Sequence, residues 1–256
     1  MIRHFLRLAL AGLGLALLQA CASGPGAHPG DPLEPFNRTV FKFNDSVDRA
    51  VLKPVATAYN DMLPSPVRTG VSNFFGNISD VWSLMNNVLQ LKPKESVETL
   101  MRVSFNTVFG FAGVLDIATE MGLEKHQEDF GQTLGYWGVG PGSYLVLPLL
   151  GPSTIRDSLG RVVDVQVDLI NRTASVPVRN SLGALRVVDA RANFLGAGDM
   201  LDQAALDKYT FARDVYLQRR RSLVRPGSDE AEERFDLPEA VAAPKAPAAS
   251  APSGAK

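Results

Sequence analysis

Cysteine is almost absent from this chain. Cys21 stands alone among 256 residues, so no internal disulfide is available and the core has to hold by packing. Histidine is scarce too: His4, His28 and His126 lie far apart, with no clustered ligands of the H-E-x-x-H kind to hold a metal. No G-x-S-x-G elbow is present for a lipase. The string Gly138-Val139-Gly140-Pro141-Gly142 lacks the phosphate-loop lysine and a preceding strand, which argues against a nucleotide site. His126 beside Asp129 has the residue types of an acid–base pair, but a solvated loop histidine accounts for it as well. Basic excess is missing, with 26 Lys and Arg against 27 Asp and Glu; a nucleic-acid partner would ask for a strongly basic domain. These absences point away from an enzyme.

What is present begins at the N-terminus. Arg3 and Arg7 precede the apolar run Leu8 to Leu18, followed by Gln19 and Ala20. That is the charged region, hydrophobic region and small-residue cut of a secretory signal. The run is too short for a membrane span, which needs about 18 or more apolar residues. Leu18-Gln19-Ala20-Cys21 resembles a bacterial lipobox. The resemblance implies cleavage before Cys21 and acylation there, the covalent lipid being the only bound group expected and no free cofactor. Ala22, where an Asp would favour retention in the inner membrane, implies export to the outer one. Losing Arg3 and Arg7 with residues 1–20 leaves 24 Lys and Arg against 27 Asp and Glu, a net charge of −3. Residues 21–30 are rich in Gly and Pro and read as a tether. Residues 226–256 run into a Pro/Ala/Ser tract with almost no large apolar residue and read as a disordered tail. The span 31–225 remains as one domain.

Within it the signal is helical. Asp31-Pro32-Leu33-Glu34 reads as a helix start with Asp31 as N-cap, and Phe36, Val40, Phe43, Val47 and Val51 share a face until Pro54 interrupts. Ser65-Pro66 restarts a helix whose stripe includes Phe74, Ile78, Trp82, Met85 and Leu89 at close to 3.6-residue spacing. These five are expected to touch lipid or pack within the fold. A third helix from about Ser96 places Val97, Leu100, Met101, Phe105, Val108 and Phe109 inward. A fourth opens at Ser153-Thr154-Ile155, and weaker ones cover Leu182 to Phe194 and Ala204 to Leu223. Only Tyr144 to Leu150 reads as extended.

Charge is thin where surface helices usually carry it. Val71 to Leu91 holds only Asp80, its other polar positions being Ser, Asn and Gln. Phe130 to Ile155 has no charged residue, yet repeated Gly and Pro rule out a spanning helix. The residues leave two readings open: a membrane-embedded fold, or a buried core with Gly-rich turns in a soluble lipoprotein. Gly138, Gly140, Pro141, Gly142 and Pro148 likewise mark either a hinged gate or an ordinary tight turn. The cluster Arg213, Arg219, Arg220, Arg221 and Arg225 would bind anionic headgroups or an acidic partner, or simply complement a helix C-terminus.

Several ordered strings carry a family resemblance: Asp31-Pro32-Leu33-Glu34-Pro35-Phe36-Asn37-Arg38, Ser72-Asn73-Phe74-Phe75-Gly76-Asn77, Phe130-Gly131-Gln132-Thr133-Leu134-Gly135, Leu147-Pro148-Leu149-Leu150-Gly151 and Ile155-Arg156-Asp157. Together they resemble the MlaA (VacJ) lipoproteins of Gram-negative outer membranes. The resemblance implies a mostly α, ring-like bundle of amphipathic, membrane-embedded helices with a short extended hairpin. It implies a central channel through which mislocalised phospholipids leave the outer leaflet for the periplasmic carrier MlaC. It also implies a trimeric porin as partner. The competing expectation is a structural or adhesive lipoprotein without lipid transport.

Overall fold

The computed structural model describes residues 31–198 and 205–225. Cys21, the tether and the tail lie outside the described residues.

Helix α1 spans Glu34–Val47, with Pro35 in its first turn. Asp31 does not cap it through its side chain. That carboxylate is fully buried and accepts from Asn37 Nδ2 at 3.0 Å and from the Tyr209 hydroxyl. A buried acid needs donors, and these come from positions with no local signal in sequence. Pro54 does not end the helical path either. Asp48–Leu52 form a π-helical turn that runs directly into α2, Lys53–Met62. Proline lacks an N–H and crowds the carbonyl four residues back; a wider turn before it removes that conflict.

The longest helix is α3, Ser65–Leu89. After a tight turn through Leu91 (φ 55°) α4 follows, Pro93–Val108. The one-turn α5 is Ile117–Glu120, capped by the Asp116 carboxylate, which accepts from Thr119 N. Next come α6, Phe130–Tyr136, and the antiparallel pair β1, Tyr144–Leu147, with β2, Gly151–Thr154, Tyr144 facing Thr154 and Leu147 facing Gly151. The expected extended stretch is therefore the first strand and turn of a hairpin. Helix α7, Ile155–Val167, starts where expected, with Thr154 Oγ1 accepting from Asp157 N at 3.2 Å. Helices α8, Val176–Asn193, and α9, Lys208–Val224, complete the described residues.

The neighbours close a circuit. Helix α1 continues into α2, α2 packs on α8, α8 on α3, α3 on α6, α6 on α7, α7 on β2, and β1 returns to α1. Helix α4 flanks α3, and α9 leans on α6 and β2. At the α6–α7 crossing two glycines meet: a Cβ on Gly160 would sit 2.5 Å from Gly131 N. Small residues of this kind allow close backbone approach where helices pack without a hydrophobic drive.

Polarity is inverted over much of the ring. Among the described residues the largest fully buried side chains include Arg102, Gln90, Asn86, Asn87, Thr99 and Asp80. The apolar face of α4 points outward instead of inward, leaving Val97, Leu100, Met101, Val108 and Phe109 exposed, with Phe111 beyond it 77% exposed. The reason lies in the opposite face. Thr99, Arg102 and Asn106 turn to α3 and α5, where Asn87 Nδ2 reaches Thr99 Oγ1 at 3.3 Å and Asn77 Nδ2 reaches Thr107 Oγ1 at 3.0 Å. The Ser/Asn face of α3 is thus spent on helix–helix contacts. The same outward stripe recurs on α7 as Ile155, Leu159, Val162 and Val165.

One corner follows the usual rule. Tyr144, Val146 and Tyr209 are buried together, with Phe41 edge-on to Tyr209 at 5.7 Å. Here α1 serves as a third strand for the hairpin. Asn37 donates to Tyr144 O (3.1 Å) and accepts from Val146 N (2.9 Å); Asn44 donates to Leu147 O (2.9 Å) and accepts from Leu149 N (2.8 Å). Two helical turns from Asn37 to Asn44 rise about 10.5 Å. The three-residue offset between their partners along the strand covers about 10 Å. The two repeats match.

Candidate functional site: an amphipathic cavity behind a polar strap

Residues 123–129, between α5 and α6, form an extended strap laid across α3 and α4. Each anchor is polar. Leu123 O accepts from Arg102 Nη1 at 2.6 Å, His126 Nε2 lies 2.6 Å from Glu98 Oε2, and Glu128 takes Lys92 Nζ at 2.7 Å and Gln90 Nε2 at 2.9 Å. Lys125 Nζ stands 3.7 Å from the buried Asp80, above Gly76, where a Cβ would meet the ammonium at 2.6 Å. At the strap's end Asp129 caps α6 through Gln132 N at 2.8 Å.

Arg102 is the pin of this limb. It is 1% exposed and its Nη2 holds both oxygens of Asp116 at 3.0 Å. Burial alone would raise the Asp116 carboxyl, but donors from Thr119 and Asn106, with Arg102 nearby, hold it at about 2. Burial pushes Asp80 the other way, up, outweighing the opposing pull of Lys125 and Arg102 Nε at 3.7 and 3.8 Å.

The strap walls a cavity of about 900 Å³. Ile78, Val81, Trp82 and Met85 of α3 give it an apolar side, joined by Leu223 of α9. Lys125, Gln127, Glu128 and Asp129 give the polar side, completed by Asp164 and Asp168, Arg186, Arg219 and Arg220. Arg220 is fully committed: Nη1 reaches Asp129 Oδ2 at 2.6 Å, while Nε and Nη2 reach the Asp157 oxygens at 3.0 and 2.8 Å. Burial would raise Asp129 and Asp157, yet this guanidinium holds both below the usual carboxylate range. Asp164 has no such cation; burial lifts it despite the bonds from Trp82 Nε1 (2.7 Å) and Phe130 N (3.0 Å).

Of the stripe singled out from sequence, Ile78, Trp82 and Met85 line the cavity. Phe74 packs edge-on against Phe75 at 5.4 Å, and Leu89 is exposed, its carbonyl accepting from Trp137 Nε1 at 3.0 Å. The Gly138–Pro148 segment contributes nothing to the lining. Gly138 (φ 91°) and Gly142 (φ 68°) take left-handed torsions and Gly140 does not. Pro141 O accepts from Arg156 N at 3.1 Å and Ser143 O from Ile155 N at 3.1 Å, so the loop is stitched to the start of α7. Pro148 opens the hairpin turn.

The strap and Arg220 were not legible as a site. Sequence marks 124–129 only as polar and 219–221 only as basic; their meeting is a tertiary event. It also brings the ligand atoms of Glu98, Glu124 and His126 within 4.8 Å of one another, a grouping that spacing did not suggest.

An apolar outer face, a hydrogen-bonded polar interior and a half-apolar cavity define the class: a helical ring built for apolar surroundings. Among the described residues no helix is long and apolar enough to cross a membrane. Comparison with known proteins identifies the family. Residues 29–223 match the family model of the MlaA lipoprotein. The chain is 36% identical over 220 residues to proteins from Shigella flexneri and Escherichia coli K12, each named intermembrane phospholipid transport system lipoprotein MlaA, covering 84% of this chain and 87% of each relative. A solved structure, described as the structural basis for maintenance of bacterial outer membrane lipid asymmetry, superposes with a TM-score of 0.67 at 33% identity, covering 76% of this chain and 99% of that one. The chain belongs to the MlaA lipoprotein family.

Proposed function

We propose that this protein is a lipid-anchored component of the Gram-negative outer membrane that withdraws mislocalised phospholipids from the outer leaflet. They pass through the ring's cavity to the periplasmic carrier MlaC, which maintains lipid asymmetry. The observation that carries the reading is the inverted polarity. Hydrogen bonds between polar side chains hold helices together where lipid removes the hydrophobic drive, and exposed Leu, Val and Phe then need no aqueous cover. The phospholipid-transport names of the relatives and the lipid-asymmetry subject of the structural neighbour support the cargo. The cavity supports the route: an apolar wall suits acyl chains and a polar strap suits the head. In this reading Cys21 carries the anchoring lipid and a trimeric porin flanks the ring. Gly138, Gly140, Pro141, Gly142 and Pro148, which lie outside the cavity lining, form a hinged loop beside the channel mouth in this reading, with the left-handed torsions of Gly138 and Gly142 at its bends.

The test is deletion in the native host, followed by labelling of surface-exposed phospholipid. Surface phospholipid should rise and return to normal with the wild-type gene but not with Cys21→Ala. A structural or adhesive lipoprotein would leave it unchanged. Recovery of the mature protein from the inner membrane on density fractionation would also reject the reading.

A further inference from the structure

We propose that Glu98, Glu124 and His126 form a binding site for a divalent transition cation, zinc fitting best, that clasps the strap to α4. None of the three lines the cavity, and the site stands or falls independently of lipid passage.

Glu98 stands on α4, and Glu124 and His126 stand two residues apart on the strap. Alternate residues of an extended segment share a side. Lys125, between them, turns the other way, over Gly76 and toward Asp80, so Glu124 and His126 both turn to Glu98. One ligand atom from each of the three falls within 4.8 Å of the other two. His126 Nε2 is 2.6 Å from Glu98 Oε2, and the two side chains are only 20% and 22% exposed. The strap is fixed on either side of them: Leu123 O accepts from Arg102 Nη1, and Glu128 accepts from Lys92 and Gln90. The strap ligands are therefore set in place before any ion arrives.

Glu124 is what a plain hydrogen bond leaves unexplained. The contact between His126 and Glu98 is complete without it, and Glu124 makes no hydrogen bond or ion pair with the described residues. Its carboxylate nonetheless lies beside that of Glu98, an arrangement two anions resist unless a cation joins them. Lys94 is the ammonium at hand, but it is 72% exposed and 3.8 Å from Glu98 Oε1, beyond hydrogen-bond distance. One imidazole and two carboxylates make a zinc donor set. Magnesium and calcium take oxygen ligands, so the imidazole selects against them. Zinc holds N and O ligands at about 2.0–2.2 Å, which sets neighbouring donors about 3.3 Å apart in a tetrahedron. Glu98 and His126 would then separate slightly while Glu124 closes in. The ring must present its Nε2 lone pair, so its proton resides on Nδ1 and any second proton leaves to solvent. Three protein ligands leave the fourth position to water, and the ion is exchangeable, held less tightly than in a closed four-ligand site. Once bound, it ties a wall of the cavity to α4 by metal–ligand bonds in place of one hydrogen bond.

The experiment uses the full-length protein in detergent, purified without a polyhistidine tag, stripped with chelator and titrated calorimetrically with zinc chloride. Wild type should bind a single equivalent, and excess magnesium should not compete. Glu124→Gln is the decisive variant, because Glu124 has no partner among the described residues and its loss leaves the metal-free strap as it is. Losing this ligand should cost at least what losing an outer-shell partner does, about ten- to a hundredfold in affinity. His126→Ala should abolish binding, and His28→Gln, at the other histidine after Cys21, should leave it unchanged. Hydrogen exchange gives the second readout: zinc should slow exchange in residues 123–127 of wild type but not of Glu124→Gln, with β1 indifferent. No stoichiometric zinc binding, equal competition by magnesium, or binding that survives Glu124→Gln undiminished overturns the site. So does binding that disappears with His28→Gln. Zinc binding without any change in strap exchange overturns the clasp.

Discussion

Around the hairpin, Tyr144, Val146 and Tyr209 are buried against Phe41, while in the α3–α4 limb the buried side chains are Arg102, Asn87 and Thr99. In that limb Leu100, Val108 and Phe109 face outward. The first arrangement gains stability from apolar area removed from water. The second gains little that way and depends on satisfying polar groups across a seam. One chain thus follows two packing rules, and the division maps where water and lipid are expected to meet it.

The strongest way to break that contrast is Arg102→Leu. It leaves the part-buried Asp116 without its guanidinium and the buried Asp80 with only Lys125 nearby, and removing one partner of a buried pair typically costs about 3–5 kcal/mol. Thermal unfolding in detergent should fall accordingly, with amide protection lost first in α4 and the strap while β1 stays protected. A loss under about 1 kcal/mol would mean the polar seam is not what holds the limb.

Leu100→Asp asks what surrounds the same helix. In bilayers it should cost about 2.5–3.5 kcal/mol if Leu100 lies near the hydrocarbon centre. An aqueous surface would hold the change within about 0.5 kcal/mol. Chemical unfolding in nanodiscs separates the two outcomes, and the smaller one would revive the soluble-lipoprotein alternative.

At the conventional corner, Tyr209→Phe deletes one of the two hydrogen-bond donors described for buried Asp31 and should cost about 1–3 kcal/mol. Hydrogen exchange at β1 reports it, and α4 should be indifferent. Smallest is the glycine loop. Gly142→Val forces a left-handed torsion on a β-branched residue and brings its Cβ to 3.1 Å from Ile155 Cβ, whereas a side chain on Gly140 meets open space. The first should lose about 1–2 kcal/mol and the second close to nothing. If both variants fold, reach the outer membrane and clear surface phospholipid normally, the loop is not a gate.

Sequence made the helices legible because their apolar stripes are local. It placed α3, α4 and α7 within a few residues and found the first strand. It missed which way α4 turns, because a stripe of Val97, Leu100 and Met101 is the same pattern whether it faces a core or a lipid. The informative residues were on the other face, where Thr99, Arg102 and Asn106 recur at helical spacing and are the ones buried. Asp31 misled for a different reason. Asp-Pro reads as a cap, and the competing donor, Tyr209, is distant in the chain. The strap was illegible because each of its anchors belongs to another element.

The paired amides of Asn37 and Asn44 have a consequence for what the hairpin will not do. An exposed strand edge is a template for any extended peptide. On the β1 side that template is already filled by side chains whose spacing along a helix keeps step with the strand. A slip of the hairpin by one residue would unseat both amides together, so the pairing also acts as a register lock. A partner arriving at this edge finds no ladder to extend. It would have to be recognised by side chains, and two copies of the chain meeting here during export have no strand to share.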